Sequence, residues 1–465
     1  MKVLSSLSSV YSLKENKNDF RNDPYFYNEK FVTIYNFIKA KSSYKIGDLF
    51  DIFTGISPTG NYSKEGIPFI RIQDLEPFGV FEENVVRVKE ENTNKVTTKV
   101  QKYDILLAIT GATIGKVSIY LGKKHAFCTS DILVLRPKQK LSIEKIFGIY
   151  TLFLSQHYLL IFKKGVTGVS NQHLNPKYVY EIPVILNEKV KKIGNKLKQA
   201  IEAKIEAERK RGEVEEIYRD LLPSEDELIK NKKEVSTVLR LQDVKKIKRI
   251  DPQFFSVWIR KVIEKLNTKN TFNLEKNKFL RGKTPSESEY TSSGVFVVKV
   301  RNILQDGRIE IKGDKSYIDE SNFKKNYKNF IVKDGDIIFV ATGKGSIGRV
   351  GIFLHGDINS IASGELLIYR EKDEIKRWLI LGLFLQKIIQ DILDKIALGP
   401  SGQTHLYPEQ IVNIPIPILS EEEAKNLIEN LSNYFFLMEK SKQLHSQSMK
   451  ELNKILGLNY GGDNS

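Results

Sequence analysis

Cysteine is almost absent from this chain: Cys128 stands alone among 465 residues. One thiol excludes a disulfide framework and any multi-cysteine zinc site, and it fits a reducing, cytoplasmic setting. Histidine is scarce as well. His125, His157, His173, His355, His405 and His445 form neither an HExxH motif nor a paired metal-ligand spacing, so no metal site is expected. No segment offers about 18 uncharged apolar residues in a row, which argues against a membrane span. The opening stretch MKVLSSLSSVYSLKENKND has no sustained apolar core and does not read as a signal peptide.

Acidic residues run short too. With 57 Asp and Glu against 73 Lys and Arg, the formal net charge is +16. Such an excess favours a polyanionic partner, nucleic acid ahead of the blander reading of a lysine-rich, well-solvated surface. The hydrophobic share of 41% and charged share of 28% describe an ordinary soluble protein, and the length allows two or three domains with their own cores.

What the chain does have is itself, twice. Asp23-Pro24-Tyr25-Phe26 returns as Asp251-Pro252-Gln253-Phe254, an offset of 251 − 23 = 228. Gly55-Ile56-Ser57-Pro58 returns as Gly282-Lys283-Thr284-Pro285. GIPFIRIQDL from Gly66 returns as GVFVVKVRNI from Gly294, again 294 − 66 = 228 apart. YDILLAITGATIGKV (Tyr103–Val117) returns as GDIIFVATGKGSIGRV (Gly335–Val350) with one inserted residue. His173-Leu174-Asn175-Pro176, leading to Ile182-Pro183, returns as His405-Leu406-Tyr407-Pro408, leading to Ile414-Pro415. Five blocks in the same order make a tandem duplication.

Each copy reads as short strands followed by helix. FIRIQ and ILLAIT, and later FVVKV and IIFVA, are strand-like runs, while TGATIG and TGKGSIG read as tight turns. Helical patterns follow at Ile143–Lys163 and Ile375–Leu398, then a polar loop, then the Ile-Pro strand. Each copy closes on a long helix. In the first, Asn187–Leu222, the apolar stripe is Val190, Ile193, Leu197, Ile201, Ile205, Val214, Ile217 and Leu221. Asn187 is its N-cap, Glu188 suits the positive helix start, and Pro223 follows its end. Gly194 and Gly212 each cost about 1 kcal/mol relative to alanine, and Gly212 is a candidate kink.

The second long helix, Ser420–Leu456, starts with a Ser420/Glu423 capping box and carries Leu427, Leu431, Tyr434, Phe435, Met438, Leu444, Leu452 and Ile455. Neither stripe can stay in water, so the two helices are expected to pair antiparallel as a coiled-coil-like spacer. The expected fold class is α+β: two tandem mixed α/β globular units separated by two long antiparallel helices in a pseudo-two-fold arrangement. The expected domains are 1–186 and 249–419 as the globular units, 187–222 and 420–456 as the helices, 223–248 as a linker and 457–465 as a disordered tail.

Catalytic constellations are missing. Gly282-Lys283-Thr284 ends like a phosphate-binding loop, but the glycine needed five positions earlier is Asn277, and the matching first-copy loop has no lysine. Asn22-Asp23-Pro24-Tyr25 partly matches an amino-methyltransferase motif but lacks its second proline, so a turn role fits better. His173 and His405 repeat without any carboxylate or nucleophile repeating beside them, which points to loop anchoring by hydrogen bond rather than a triad. Two copied units with a large positive charge and no catalytic set suggest a binding protein with no cofactor of its own.

Reading DNA sequence takes Arg, Lys, Asn and Gln side chains that reach base edges, supported by phosphate contacts. Three polar clusters recur in matched places. Arg71, Gln73 and Asp74 correspond to Lys299, Arg301 and Asn302; Thr113 and Lys116 to Lys344, Ser346 and Arg349; Ser170, Asn171 and Gln172 to Ser401, Gln403 and Thr404. For the first cluster, the competing reading is a half-exposed strand. The frameworks match while these identities differ, as expected of two related units reading two different half-sites. A helix of roughly 50 Å compares with about 34 Å per turn of B-DNA, so half-sites slightly more than a turn apart are sensible.

In that order, Asp-Pro-x-aromatic, G-x-[ST]-P, GIPFIRIQDL, YDILLAITGATIGK, SNQHL-x-P with Ile-Pro, then a long helix, all twice, the chain resembles the specificity subunit of type I restriction–modification systems. The resemblance spans essentially the whole sequence. It implies a non-catalytic subunit with two target recognition domains and paired spacer helices. It also implies two methyltransferase subunits using S-adenosylmethionine, motor–nuclease restriction subunits using ATP, and a bipartite double-stranded DNA target. The lead-in of about twenty residues and the long inter-repeat segment depart from the pattern and leave room for a type IIB-like assembly. A self-contained methyltransferase or nuclease would need several hundred further residues, and a protein-only scaffold fits poorly with the charge.

Overall fold

The computed structural model describes residues 26–56, 61–89, 99–168, 172–224, 227, 256–313, 315–343, 345–399 and 404–457. The Asp-Pro pairs, Ser57–Thr59, most of the 223–248 linker and the tail from Leu458 lie outside the described residues. The chain forms two compact units, Met1–Ile205 with Met438–Ser465, and Glu206–Leu437.

In the first unit, helix α1 (Glu29–Lys41) starts where Asn28 accepts from the Lys30 amide. Eleven strands follow: β1 (Tyr44–Lys45), β2 (Phe50–Thr54), β3 (Ile67–Ile70), β4 (Val86–Val88), β5 (Ile105–Ala108), β6 (Val117–Ile119), β7 (Phe127–Cys128), β8 (Ile132–Pro137), β9 (Val166–Thr167), β10 (His173–Leu174) and β11 (Pro183–Val184). Between β8 and β9 lie α2 (Ile143–Phe153) and α3 (Gln156–Lys164), and the long α4 (Glu188–Arg219) comes after β11. One antiparallel sheet runs β2-β8-β5-β6; a second runs β4-β3-β7, with β3 and β7 parallel. Strand β5 explains its unbroken apolar sequence. Ile105 and Leu107 face the helices, whereas Leu106 and Ala108 face the other sheet, so both sides of the pleat are buried.

The second unit repeats the plan with α5 (Val257–Leu266), β12 (Thr271–Phe272), β13 (Phe279–Arg281), β14 (Tyr290–Thr291), β15 (Val295–Val298), β16 (Tyr317–Ile318), β17 (Ile331–Val332), β18 (Ile337–Val340), β19 (Val350–Ile352), β20 (Ser360–Ala362), β21 (Leu366–Tyr369), α6 (Glu374–Phe384), α7 (Lys387–Ile396), β22 (Ile416–Pro417) and α8 (Glu421–Ile455). Its sheets are β13-β21-β18-β19 and the larger β14-β16-β15-β20-β17, with β15 parallel to β20. In both units a short ladder, β1–β11 or β12–β22, ties the beginning to the end. A buried ion pair also repeats: Arg136 Nη2 lies 2.8 Å from Asp104 and Arg370 Nη2 lies 2.6 Å from Asp336. The fold is therefore α+β, with tandem units and long helices.

Several local expectations change. The helical patterns at Ile143–Lys163 and Ile375–Leu398 are each two helices. α2 and α3 meet at 74°, because the Ser155 hydroxyl accepts from the Tyr158 amide and starts a new helix. Strand β3 stops at Ile70, so Arg71 and Gln73 are not strand residues; β15 likewise stops before Lys299 and Arg301. The second Ile-Pro strand occupies Ile416–Pro417 rather than Ile414–Pro415. No single helix among the described residues is long and apolar enough to cross a membrane.

The long helices refine the stripe. Asn187 caps α4 by accepting from the Val190 amide at 3.0 Å, and the helix is unbroken through Gly212 to Arg219, about 48 Å at 1.5 Å per residue. Ile205, however, is 42% exposed and Ile217 only half-buried. The buried line follows a three-then-four repeat through Val190, Ile193, Leu197, Ala200, Ala207, Val214 and Tyr218, which leaves Ile205 one step off the seam. Helix α8 does the same through Leu427, Leu431, Tyr434, Met438, Ser441, Ser448 and Leu452, with Leu444 off the seam. Within the first unit, Ser441 Oγ donates to Ala200 O at 2.7 Å and Ser448 Oγ to Ile193 O at 2.9 Å, so the two helices run antiparallel there. The Ser420/Glu423 capping box is formed, Ser420 N donating to Glu423 Oε2 at 2.8 Å. Gly194 lies against Gly148 of α2, where a Cβ would meet the Gly148 amide nitrogen at 2.1 Å. In the second unit Gly382 of α6 plays the matching part against Leu427 and Tyr218.

Candidate nucleic-acid interface

The three polar clusters are far apart in sequence, and one turn gathers them. In the first unit this is Thr129–Ile132, between β7 and β8. Its Thr129 amide donates to Ile70 O at 3.1 Å, fixing the start of the Arg71 cluster. Gly55 N donates to Ile132 O and Ile56 N to Cys128 O, which fixes the Gly55 loop. Ile109 N donates to Asp131 O at 2.9 Å, and beyond it Gly111 N reaches Gln172 O at 3.2 Å and Leu174 N reaches Ile109 O at 2.8 Å. The same bonds recur in the second unit around Ser363–Leu366. Ser363 N donates to Val298 O, Lys283 N to Ala362 O, Ala341 N to Glu365 O and Leu406 N to Ala341 O. Both loops need their glycine, since a Cβ at Gly55 would lie 2.1 Å from Thr129 O and one at Gly282 would lie 2.2 Å from Ser363 O.

On the resulting edge, Arg71 caps a short 3-10 turn, Ile72–Asp74, that holds Gln73. Its guanidinium forks onto Asp74, Nε to Oδ2 at 3.1 Å and Nη2 to Oδ1 at 3.0 Å. Gln73, its carboxamide oxygen turned to the guanidinium, accepts from Arg71 Nη2 at 3.0 Å. Lys116 lies 3.9 Å from Glu76, and Gln172 is exposed. In the second unit Lys299 caps the turn Val300–Asn302, which holds Arg301; Arg301 Nη2 donates to Ser316 Oγ at 2.8 Å. Arg349 Nη2 donates to Gly345 O at 3.1 Å, and Thr404 is half-buried beside His405. Ser170, Asn171, Lys344, Ser401 and Gln403 lie outside the described residues. His173 and His405 do anchor loops, but through their backbones, which bridge to Thr110 and Thr342; the His405 Nδ1 is buried without a partner among the described residues.

Buried polar atoms without hydrogen-bond partners are rare in folded proteins. Among the described residues they include Thr129 Oγ1, Ser363 Oγ, Arg349 Nε and His405 Nδ1, all on this edge. Thr129 and Ser363 occupy equivalent positions in the two copies.

Two groups on the edge escaped the sequence reading. Tyr62 and Tyr290 are 228 residues apart (290 − 62 = 228). Each lies under the cation of its own unit: Arg71 is 5.4 Å from the Tyr62 ring centre, and Lys299 Nζ is 3.8 Å from that of Tyr290. The constant offset was the available signal. Lys283, the lysine of the phosphate-loop look-alike, sits 4.9 Å over the Tyr327 ring. The Tyr327 hydroxyl donates to Glu289, and the bond from Asn322, with those from Tyr327 and Ser286, holds the Glu289 carboxyl down to about 2. Burial pushes the Cys128 thiol up to about 12, so it is no thiolate nucleophile. The described residues include no group of three or more His, Cys, Asp or Glu that could hold a metal ion.

Residues 38–216 and 274–447 each match the type I restriction modification DNA specificity domain. The chain belongs to that family. Among curated relatives, the type I restriction enzyme MjaVIII specificity subunit of Methanocaldococcus jannaschii is 25% identical over 374 residues, 78% of this chain and 80% of the relative. Among solved structures, the S subunit of a type I restriction–modification system from M. genitalium covers 90% of this chain and 96% of its own, at 15% identity and a TM-score of 0.48. The HsdS subunit from Thermoanaerobacter tengcongensis covers 89% and 95%, at 13% identity and a TM-score of 0.27. As a type I DNA-specificity subunit the chain is non-catalytic, supplying sequence recognition to a restriction–modification complex through its two specificity domains.

Proposed function

We propose that each unit reads one half of a bipartite double-stranded site through the edge just described, with Arg71, Gln73, Lys116, Ser170, Asn171 and Gln172 in the first unit. Lys299, Arg301, Lys344, Arg349, Gln403 and Thr404 serve in the second. The supporting observation is the repeated convergence: bonds of one pattern gather the described residues of the same three polar stretches in both copies, while the side chains differ in sequence. Residues 1–186 and 249–419 are the recognition domains, 223–248 links the copies, and 457–465 is a tail. The helices 187–222 and 420–456 form the spacer on which two methyltransferase subunits dock, with restriction–translocase subunits joining the complex. The setting is the cytoplasm, where the DNA target lies.

Purified chain alone neither methylates nor cuts DNA, and it confers site-specific methylation on its cognate methyltransferase. Methyl transfer from labelled S-adenosylmethionine checks this; methylation by the chain alone would sink the reading. DNA affinity also falls steeply with salt, as phosphate neutralisation requires. A titration between low and moderate salt that shows no dependence favours a protein-binding scaffold instead.

A further inference from the structure

The two units carry different charge at matched positions of this edge. Arg71 and Lys299 each follow the central strand, and each has its amide capped by the side chain three residues on: Asp74 Oδ2 at 2.8 Å and Asn302 Oδ1 at 2.9 Å. In the first unit the cap is a carboxylate and also takes the guanidinium. In the second it is a neutral carboxamide, whose nitrogen turns away to donate to Glu310 O at 2.9 Å and Lys312 O at 2.8 Å. Among the described residues, Lys299 Nζ keeps only the Lys315 carbonyl at 3.2 Å and the Tyr290 ring at 3.8 Å. No carboxylate of the described residues lies within 4.0 Å of it, Glu365 acting from farther off.

The contrast recurs nearby. Lys116 pairs with Glu76 at 3.9 Å, whereas among the described residues its counterpart Arg349 bonds only a backbone oxygen, and the residue matching Glu76 is Leu304 (304 − 76 = 228). Twice, then, the first unit pairs a cation with a carboxylate where the second, among the described residues, shows no such pair within 4.0 Å.

We infer that the two units hold DNA with unequal electrostatic weight: Lys299 meets the phosphate backbone as a free cation, whereas the Arg71–Asp74 pair adds no net attraction. This rests on the DNA-reading role of the edge. Each phosphate neutralised steepens the fall of log affinity with log salt by about 0.9, and a lysine ammonium acts on phosphate as a point charge.

The test is a salt titration of the full-length chain binding a duplex of mixed sequence. Lys299→Met makes the slope shallower by about 0.9. The double variant Arg71→Met with Asp74→Asn removes one cation and one carboxylate together and changes the slope by less than Lys299→Met does. Asp74→Asn alone keeps the capping oxygen, frees the guanidinium and steepens the slope, a gain that damaged folding cannot mimic. A Lys299→Met slope equal to the parent's, or a double variant as shallow as Lys299→Met, overturns the inference while leaving DNA reading intact. A parent chain with no salt dependence removes both.

Discussion

Exchanging residues 49–183 for the corresponding segment of a relative with a different target will rewrite one half of the methylated sequence and leave the other half unchanged. The segment carries the three polar stretches of the first unit and the sheets that position them. Its two joints are neighbours, since Lys45 pairs with Pro183 on the β1–β11 ladder and Ile46 N donates to Ile182 O at 2.9 Å. The exchange therefore cuts the chain where the segment begins and ends together, and α4 is left whole. Its packing surface must still match: Val190, Ile193 and Leu197 share a core with Phe147, Ile149 and Phe162 from the exchanged part. Donors that keep those apolar positions will fold. Base-resolution methylation mapping of the hybrid complex reads the outcome, and a change in both halves would show that the units do not read independently.

Two glycine-to-alanine substitutions in one helix will have opposite effects on stability. Alanine is worth about 1 kcal/mol over glycine in a helix interior, and at Gly212 nothing lies within 4 Å of the added Cβ. Gly212→Ala therefore stabilises by about 0.4–1 kcal/mol. At Gly194 the same Cβ meets Gly148 N at 2.1 Å, Gly148 Cα at 2.5 Å and Glu144 O at 2.7 Å, all backbone or Cα atoms that no rotamer change can move. Overpacking costs about 1–3 kcal/mol, and backbone at 2.1 Å puts this case at the top of that range, so after the propensity gain of about 1 kcal/mol Gly194→Ala is a net loss of about 2 kcal/mol. At roughly 2–4 °C per kcal/mol for a unit of this size, it lowers the melting temperature by about 4–8 °C while Gly212→Ala raises it slightly. Thermal melts of the two variants decide it; a stabilising Gly194→Ala would mean that α4 and α2 are not in backbone contact.

Gly194 also shows what the sequence could and could not say. Its spacing marks it only as a weak point in a helix, because the residue it must accommodate, Gly148, lies elsewhere in the chain. Ile205 is the converse case. Hydropathy favours it over Ala207, yet Ala207 is buried and Ile205 is not, since the seam follows the three-then-four repeat rather than side-chain size. In α8 the seam runs through Ser441 and Ser448, which look like solvent-facing residues until their hydroxyls are seen donating to carbonyls of α4. The duplication, the two long helices and both of their N-terminal caps were legible because they depend on local signals or exact repetition.

The site was legible only in pieces. Matched positions named the polar clusters, but their convergence depends on carbonyls of Ile70, Asp131 and Ile132 whose roles no side chain advertises. The end of β3 at Ile70 could have been read from Asp74, three residues past Arg71 and able to cap its amide. Tyr62 and Tyr290 stand beside strands, where an aromatic residue suggests core, whereas Tyr62 is 51% exposed.

The most direct measurement of the central claim is a base-resolution methylation map of DNA treated with the native chain and its cognate methyltransferase. Two units with one architecture and different polar edges predict a single motif of two short defined parts separated by a fixed run of unspecified bases. One contiguous motif, or methylation without sequence preference, would contradict it.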